Sequence, residues 1–294
     1  VGAGSAGCAV VHHLVQTGKR VLLVEAGGDD RSLTVSLPFR MLKALDVFDW
    51  GYVCEPDRTR ALRSERWQRG RLLGGTSSVN GMIYVRGSDR DFDLWASESD
   101  ESWSPPRIRA LFREMEHCDS RSIPTGAGQR GYAGPLHVRM VRHPHHTTQA
   151  FVEAWVKQGY SFNGDYNGES QEGVGYTQLT QRRGLRFSAF DAFVRPHRRA
   201  PNLHVLSNCQ VRKINIEQGR ATGIAVEQGG RERIIRGGKI ILSAGSLNSP
   251  KLLMLSGIGD AASLSEMGID VKLHQPTVGQ GLTDHPIVRI TYHT

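Results

Sequence analysis

Apolar positions along the chain fall into three kinds of pattern, and each predicts a different element. Near the start, Ala9, Val10 and Leu14 sit where a helix packed on a sheet would need them, from Ser5 to about Thr17, and Gly18 closes the run as a C-cap. Val21–Val24 is an unbroken apolar run, the signature of a parallel strand buried on both faces, and Glu25 ends it. The third pattern lies between Asn202 and Gly245, where apolar and polar residues alternate. With turn signals at Gln218-Gly219 and Gly229-Gly230, it predicts several antiparallel strands. Lys239–Ser243 reads as a final buried strand ending in Ala244-Gly245, and a helix is expected from about Ser249 to Leu255. Between these regions the signal is weaker. Residues 29–69 carry short apolar pieces and a Trp50-Gly51-Tyr52 cluster, and a glycine-rich turn runs from Gly70 to Gly87. From Arg90 to Arg199, helical spacing shows near Ile108–Glu116 and Thr148–Gln158. The fold class is therefore α/β: a parallel sheet with helices, plus an antiparallel meander.

Composition changes little in this picture. The 294 residues can bury a sizeable core, and 38% hydrophobic with 22% charged residues is ordinary for a globular protein. A net charge of +8 raises the question of nucleic acid, but the basic residues are spread along the chain and no recognition module accompanies them. The expectation is no nucleic-acid partner. Cys8, Cys54, Cys118 and Cys209 are widely spaced, which favours reduced thiols in a cytoplasmic setting over a disulfide framework or a zinc site. No apolar run is long enough to cross a bilayer. His143, His145 and His146 lack the one-face spacing of a helical metal pair, and Pro144 breaks any helix there, so no metal site is expected. No G-x-S-x-G elbow supports a hydrolase.

The first chemistry-bearing constellation is Gly2, Gly4 and Gly7 with Glu25. Glycine at these spacings allows a tight turn, close backbone approach to a pyrophosphate, and close helix–strand packing. The helix start offers free N–H groups and a positive dipole end to phosphates. Glu25 ends the next strand, where a carboxylate can accept from ribose hydroxyls and would repel a 2′-phosphate. NADP is thereby disfavoured, while FAD and NAD both remain open. Only Val1 stands where the first strand of such a unit is expected. The second constellation, Gly70–Asp93, contains the Gly74-Gly75 pair, the hydroxyls of Thr76, Ser77 and Ser78, and the Asn80 amide. Spacing alone suits equally a ligand cradle or a tight turn leading into a strand at Met82–Val85.

Gly70–Asp93 resembles the first signature of the glucose–methanol–choline (GMC) flavoprotein oxidoreductases, and Gly245–Gly259 resembles their second. The order of motifs fits over essentially the whole chain, and the wording "NGMIYVRG" followed by "DFDLWA" is nearest to choline-dehydrogenase-like bacterial members. The resemblance implies an FAD-binding Rossmann-like domain from residues 1–89 and 200–294, with residues 90–199 as part of a substrate or cap region. Gly2, Gly4, Ser5, Ala6 and Gly7 would hold the FAD pyrophosphate, and Glu25, with Ala26 beside it, the adenosine ribose. Arg71, Gly75, Thr76, Asn80 and Gly81 would lie along the pyrophosphate, ribityl and flavin side. Val211 matches the position whose backbone meets adenine, and Ser243, Ala244 and Gly245 would close over that side.

The implied reaction is oxidation of a primary alcohol, choline or a related small alcohol first, to the aldehyde, with oxygen or a quinone pool as the acceptor. A quinone acceptor would bring peripheral contact with the inner membrane. Two departures carry information. Some family members link FAD through a histidine just before the asparagine matching Asn80; Val79 stands there, so FAD is expected to be non-covalent. Gly281 replaces the asparagine of a G-x-N-L-x-D-H motif. The family's catalytic histidine belongs well beyond the second signature, past Thr294, so no catalytic residue is assigned. Asp284-His285 is rejected as a dyad, because sequence neighbours rarely orient each other as acid and base. Two alternatives stand beside the oxidoreductase: a hydroxynitrile-lyase-type member with structural FAD, and a catalytically silent FAD-binding fragment.

Overall fold

The computed structural model describes residues 1–56, 58, 62–123 and 128–285. The Ser5–Gln16 helix leads directly into the Val21–Val24 strand, which pairs in parallel with Leu203–Leu206, Val21 opposite Leu203 and Val24 opposite Leu206. On the other side of Val21–Val24, Gly2 N–H donates to Val24 O at 2.8 Å. Val1 N in turn donates to Ile241 O at 2.8 Å, and Val1 O accepts from Ser243 N–H at 2.8 Å. Hydrogen bonds therefore order the segments as 239–243, 1–2, 21–24 and 203–206, the last two being a parallel strand pair. The helix covers them because its inner face supplies Cys8, Val11 and Val15 against Leu23 and a π-helical turn, Phe190–Val194.

The antiparallel region follows the alternation closely. Gln210–Glu217, Arg220–Gln228 and Arg231–Arg236 form a three-stranded meander. Its two connections are two-residue loops, Gln218-Gly219 and Gly229-Gly230, with positive φ at both positions of each. That geometry matches the twist of the flanking strands. The inner face, Val211, Ile224 and Val226, packs with Val24 and Leu252 into a second core.

Three expectations need correction. Lys239–Ser243 is not a buried strand: it makes a single rung, to Val1, and Ile241 is 37% exposed. Its ladder bonds among the described residues are the two with Val1, from the Val1 amine to Ile241 O and from Ser243 N–H to Val1 O. Met82–Val85 is not a strand either. Met82 turns into the left-handed region (φ 62°), and Ile83 makes one isolated bridge to Leu179. The late helix begins earlier than expected, at Gly245 rather than near Ser249, and carries Pro250 in its interior. Proline marks a first turn in sequence, but here only the one carbonyl its missing N–H would have met goes without that bond.

The stretch read as mixed contains two helices near the expected places, Pro105–Met115 and His146–Lys157. It also holds a small sheet: Glu116–Cys118 pairs in parallel with Leu136–Met140, which pairs antiparallel with Gln178–Leu179. Behind this sheet lies its own apolar cluster of Cys118, Ile123, Val138 and Met140. A charged network is buried beside it. Arg130 reaches Glu116 through two bonds (2.7 and 3.1 Å), Asp165 at 2.6 Å and Gln178 at 3.0 Å, and Arg86 lies 2.6 Å from Glu116.

Candidate functional site

A cavity of about 740 Å³ opens where the two glycine-rich turns meet the late helix. The first turn is shaped by steric demand. A Cβ on Gly7 would sit 2.0 Å from Gly2 O, so only glycine lets the helix start so close to the turn. A Cβ on Gly4 would meet nothing within 4 Å, because that position faces the cavity. Gly4 caps the helix with no side-chain bond, and the first N–H of the helix to bond Gly4 O is that of Cys8. Ser5 and Ala6, which precede it, line the cavity. A helix start of this kind directs backbone donors and a positive dipole end at whatever occupies the space.

The second turn docks onto the first. Gly74 N–H donates to Ala3 O at 2.8 Å, and a Cβ on Gly75 would lie 2.8 Å from Gly4 Cα. Gly75 and Thr76 thereby join the cavity wall, and Thr76 Oγ1 accepts from Gly70 N–H at 3.2 Å. Of the two readings that spacing left open, the structure shows a tight turn that also lines a cleft.

Glu25 lies at the strand end, 6% exposed, and already has backbone partners. Its Oε2 accepts from Ala3 N–H and its Oε1 from Gly27 N–H, each at 2.9 Å. Burial raises the Glu25 carboxyl above the usual carboxylate range, against those bonds and the charge of Arg71. The carboxylate thus braces the glycine turn while lining the cavity with Ala26. The far wall is Val211 with its neighbours Gln210 and Arg212, and the floor is Ser243, Ala244 and Gly245. Ala244 N–H is held by Ser249 Oγ at 3.1 Å.

Twelve of the residues named from the sequence therefore line one cavity: Gly2, Gly4, Ser5, Ala6, Glu25, Ala26, Gly75, Thr76, Val211, Ser243, Ala244 and Gly245. Four do not. Gly7 packs behind the turn. Arg71 lies with its guanidinium 4.8 Å from the Trp50 ring centroid, outside the wall. Asn80 and Gly81 follow the second turn: Asn80 N–H donates to Thr76 O at 2.8 Å, and Gly81 lies near Met41.

The sequence reading missed an aromatic side of the cleft. Trp50 and Tyr52 both line it and stack on each other, centroids 5.8 Å apart and planes 13° from parallel. Tyr52 OH donates to Asn248 Oδ1 at 2.7 Å, strapping this segment to the late helix. Arg69, Arg212 and Lys251 add cationic groups to the wall. The Trp50-Gly51-Tyr52 cluster was the available signal, in a stretch without periodicity.

Asp284 and His285 form no side-chain dyad. The Asp284 carboxylate lies 3.8 Å from Arg69, and it accepts from the His285 backbone N–H. Among the described residues no group of three or more metal-ligating side chains converges, and no helix is long and apolar enough to cross a membrane. All four cysteines are free.

Comparison with known proteins identifies the chain's relatives. The sequence family described as GMC oxidoreductase matches residues 1–287. An oxygen-dependent choline dehydrogenase of Sinorhizobium medicae is 43% identical over 291 residues, covering 97% of this chain and 52% of the relative. One of Brucella anthropi is 39% identical over 289 residues, with the same coverage. Among solved structures, pyridoxine 4-oxidase from Mesorbium loti superposes with a TM-score of 0.88 at 31% identity, over 94% of this chain and 54% of that one. Formate oxidase of Aspergillus oryzae superposes with a TM-score of 0.87 at 28% identity, over 97% and 51%. The chain thus spans about half the length of the curated relatives it matches.

Proposed function

The chain belongs to the GMC oxidoreductase family, and from that premise we propose that its cavity binds FAD non-covalently, in an enzyme that oxidises a primary alcohol, choline or a close relative, to the aldehyde. One observation carries the reading: the open space beside Gly4, bounded by the start of the Ser5–Gln16 helix. A dinucleotide's phosphates require such a cradle, and a side chain there would fill it. Arg69, Arg212 and Lys251 supply positive charge on the same wall. Glu25 and Ala26 would hold the adenosine ribose, and Val211 with Ser243–Gly245 the adenine side. Arg71, Gly75, Thr76, Asn80 and Gly81 would extend along the pyrophosphate, ribityl and flavin side. When bound, FAD supplies a two-electron acceptor for hydride from the alcohol carbon. This chain's residues bind and orient it; we assign no catalytic base among them.

Val79, the position where some family members attach the cofactor through histidine, has no nucleophile and is 1% exposed. Residues 1–89 and 200–294 would form the cofactor half and 90–199 the cap side. The names of the two relatives compared above, oxygen-dependent choline dehydrogenases, favour oxygen as the final acceptor over a quinone.

The test is to purify the 294-residue chain, add FAD, and measure uptake by absorbance and by release on denaturation. Stoichiometric, fully releasable FAD is the expected result, and absence of uptake contradicts the proposal. Anaerobic addition of choline to the FAD-loaded enzyme is expected to bleach the flavin. Cyanohydrin cleavage without bleaching would instead identify a lyase. Alcohol turnover by the 294-residue chain alone would show that it does hold a base.

A further inference from the structure

Behind the second glycine turn lies a buried cation, Arg186, that shares a cavity wall with Asp191 but makes no hydrogen bond to an acid among the described residues. Arg186 is 5% exposed, and among the described residues none of its bonds goes to a carboxylate. Its Nε donates to Val35 O at 3.0 Å, and its Nη1 donates to Ser77 O at 3.2 Å and to Asn80 Oδ1 at 3.1 Å. Its Nη2 is buried without a partner. Burying a guanidinium whose bonded partners are carbonyl oxygens is costly even with the charge of Asp191 nearby, and the fold retains it at this turn. Next to it, Ala189 N–H donates to Ser77 Oγ at 3.0 Å, so the 186–189 segment braces the turn at two points.

The consequence falls on Asn80. Its Oδ1 accepts from Arg186 and also from Met82 N–H at 3.0 Å. Both are obligate donors, so the amide can face them only through its oxygen. Met82, which gives the second bond, holds the left-handed conformation (φ 62°) that a methionine rarely adopts. With both lone pairs of Oδ1 engaged, Nδ2 is turned the other way, and it bonds no described residue.

Resting on the cofactor reading above, we propose that Arg186 is a positioning residue: it locks the Asn80 amide so that Nδ2 is presented as a hydrogen-bond donor to an acceptor atom at the flavin end of FAD. Asn80 stands outside the wall of the cavity, just past the turn whose Gly75 and Thr76 line it, and would meet the cofactor at its flavin end; Arg186 would act through it. A carboxylate at position 80 would have no donor to offer, and an arginine lost from position 186 would leave the amide free to rotate.

The experiment uses the 294-residue chain loaded with FAD, reading the flavin absorption bands and the dissociation constant. The variants are Arg186→Gln, Arg186→Lys, Asn80→Ala, Asn80→Asp and the double variant Arg186→Gln/Asn80→Ala. The single variants other than Arg186→Lys are expected to shift the flavin bands and weaken FAD by about tenfold, the loss of one good hydrogen bond. Arg186→Lys keeps a cationic donor and is expected to restore the parent spectrum. The double variant should match Asn80→Ala within about twofold, because the arginine has nothing left to orient. Multiplying effects in the double variant would overturn the assignment, as would a parent spectrum in Arg186→Gln. If Arg186→Gln does not fold, by circular dichroism and gel filtration, Asn80→Asp decides: a shifted spectrum supports the donor and an unchanged one overturns it. Failure of the parent chain to take up FAD is a separate result; it removes the cofactor reading, and this assignment with it.

Discussion

The cleft and the buried network around Arg130 treat polar groups in opposite ways. Around Arg130, charge is turned inward and spent inside the protein, on Glu116, Asp165 and Gln178. Burial alone would raise the Glu116 carboxyl, but the bonds from Arg130 and the charges of Arg130 and Arg86 hold it below the usual range. Around Gly4, the backbone is turned outward toward open space, and the side chain that would fill it is missing by design of the sequence. A buried ion network with most of its bonds made fixes one arrangement of the elements that carry it. A cleft of open backbone donors is a place for a ligand. The contrast predicts that damage to the first region appears as lost stability, and damage to the second as lost binding.

The strongest way to break that contrast is Glu116→Gln. It leaves Arg130 and Arg86 buried without their shared carboxylate, and breaking such a pair costs about 3–5 kcal/mol. Urea unfolding should show this loss, while whatever folded protein remains should bind FAD as the parent does. Weakened FAD binding with an unchanged urea midpoint would reverse the contrast. Within the cleft, Gly7→Ala and Gly4→Ala separate packing from binding. The Gly7 methyl would press on Gly2 O at 2.0 Å, backbone that has little room to move. About 1–3 kcal/mol of stability should be lost, and FAD binding with it. The Gly4 methyl meets nothing, at a φ of −79° that alanine adopts freely. Stability should stay within about 0.5 kcal/mol of the parent, while FAD binding weakens by about tenfold or more. Unchanged affinity in Gly4→Ala would mean the cradle is not where the phosphates lie.

Which of these features a sequence reveals depends on how local their cause is. The glycine turn, its helix and the Val21–Val24 strand follow from spacing within one stretch, and so do the two hairpin turns of the meander. Glu25 was readable as a residue of the cleft, but its bonds to Ala3 and Gly27 were not, since they depend on how the turn closes. Trp50 and Tyr52 stayed hidden because no periodicity marks their segment. The Arg130 network joins positions 116, 130, 165 and 178, which only the tertiary fold brings together. Lys239–Ser243 shows the converse error: its apolar run was visible, and its exposure, with Ile241 at 37%, was not.

Tyr52→Phe probes the strap between the aromatic side and the late helix. Removing the hydroxyl leaves the half-buried Asn248 able to find water, so the loss should be about 1 kcal/mol or less. A larger loss in urea unfolding would mean that the strap, rather than the glycine turns, holds the cleft together.

The smallest effect, and the sharpest in sign, concerns pH. His137 stands in the small sheet built on Leu136–Met140, against the His117 ring, centroids 4.4 Å apart. Burial, then the charges of His117 and Arg182, pull its pKa from an ordinary 6.5 down to about 4. Between those two values the unfolded chain takes up a proton that the folded one refuses. Stability from this group is therefore whole above about pH 6.5 and is lost as pH falls toward 4. Glu25, in the cleft, has the opposite sign. Its raised pKa keeps the proton in the folded state after the unfolded chain has released it, so its contribution is present at low pH and is lost as pH rises past the usual carboxylate range. His137 is only partly buried, and solvent screening keeps its share modest. In His137→Asn the fall in urea midpoint between pH 7 and pH 5 should be shallower than in the parent. An equal fall in both proteins would place the acid sensitivity elsewhere than in this sheet.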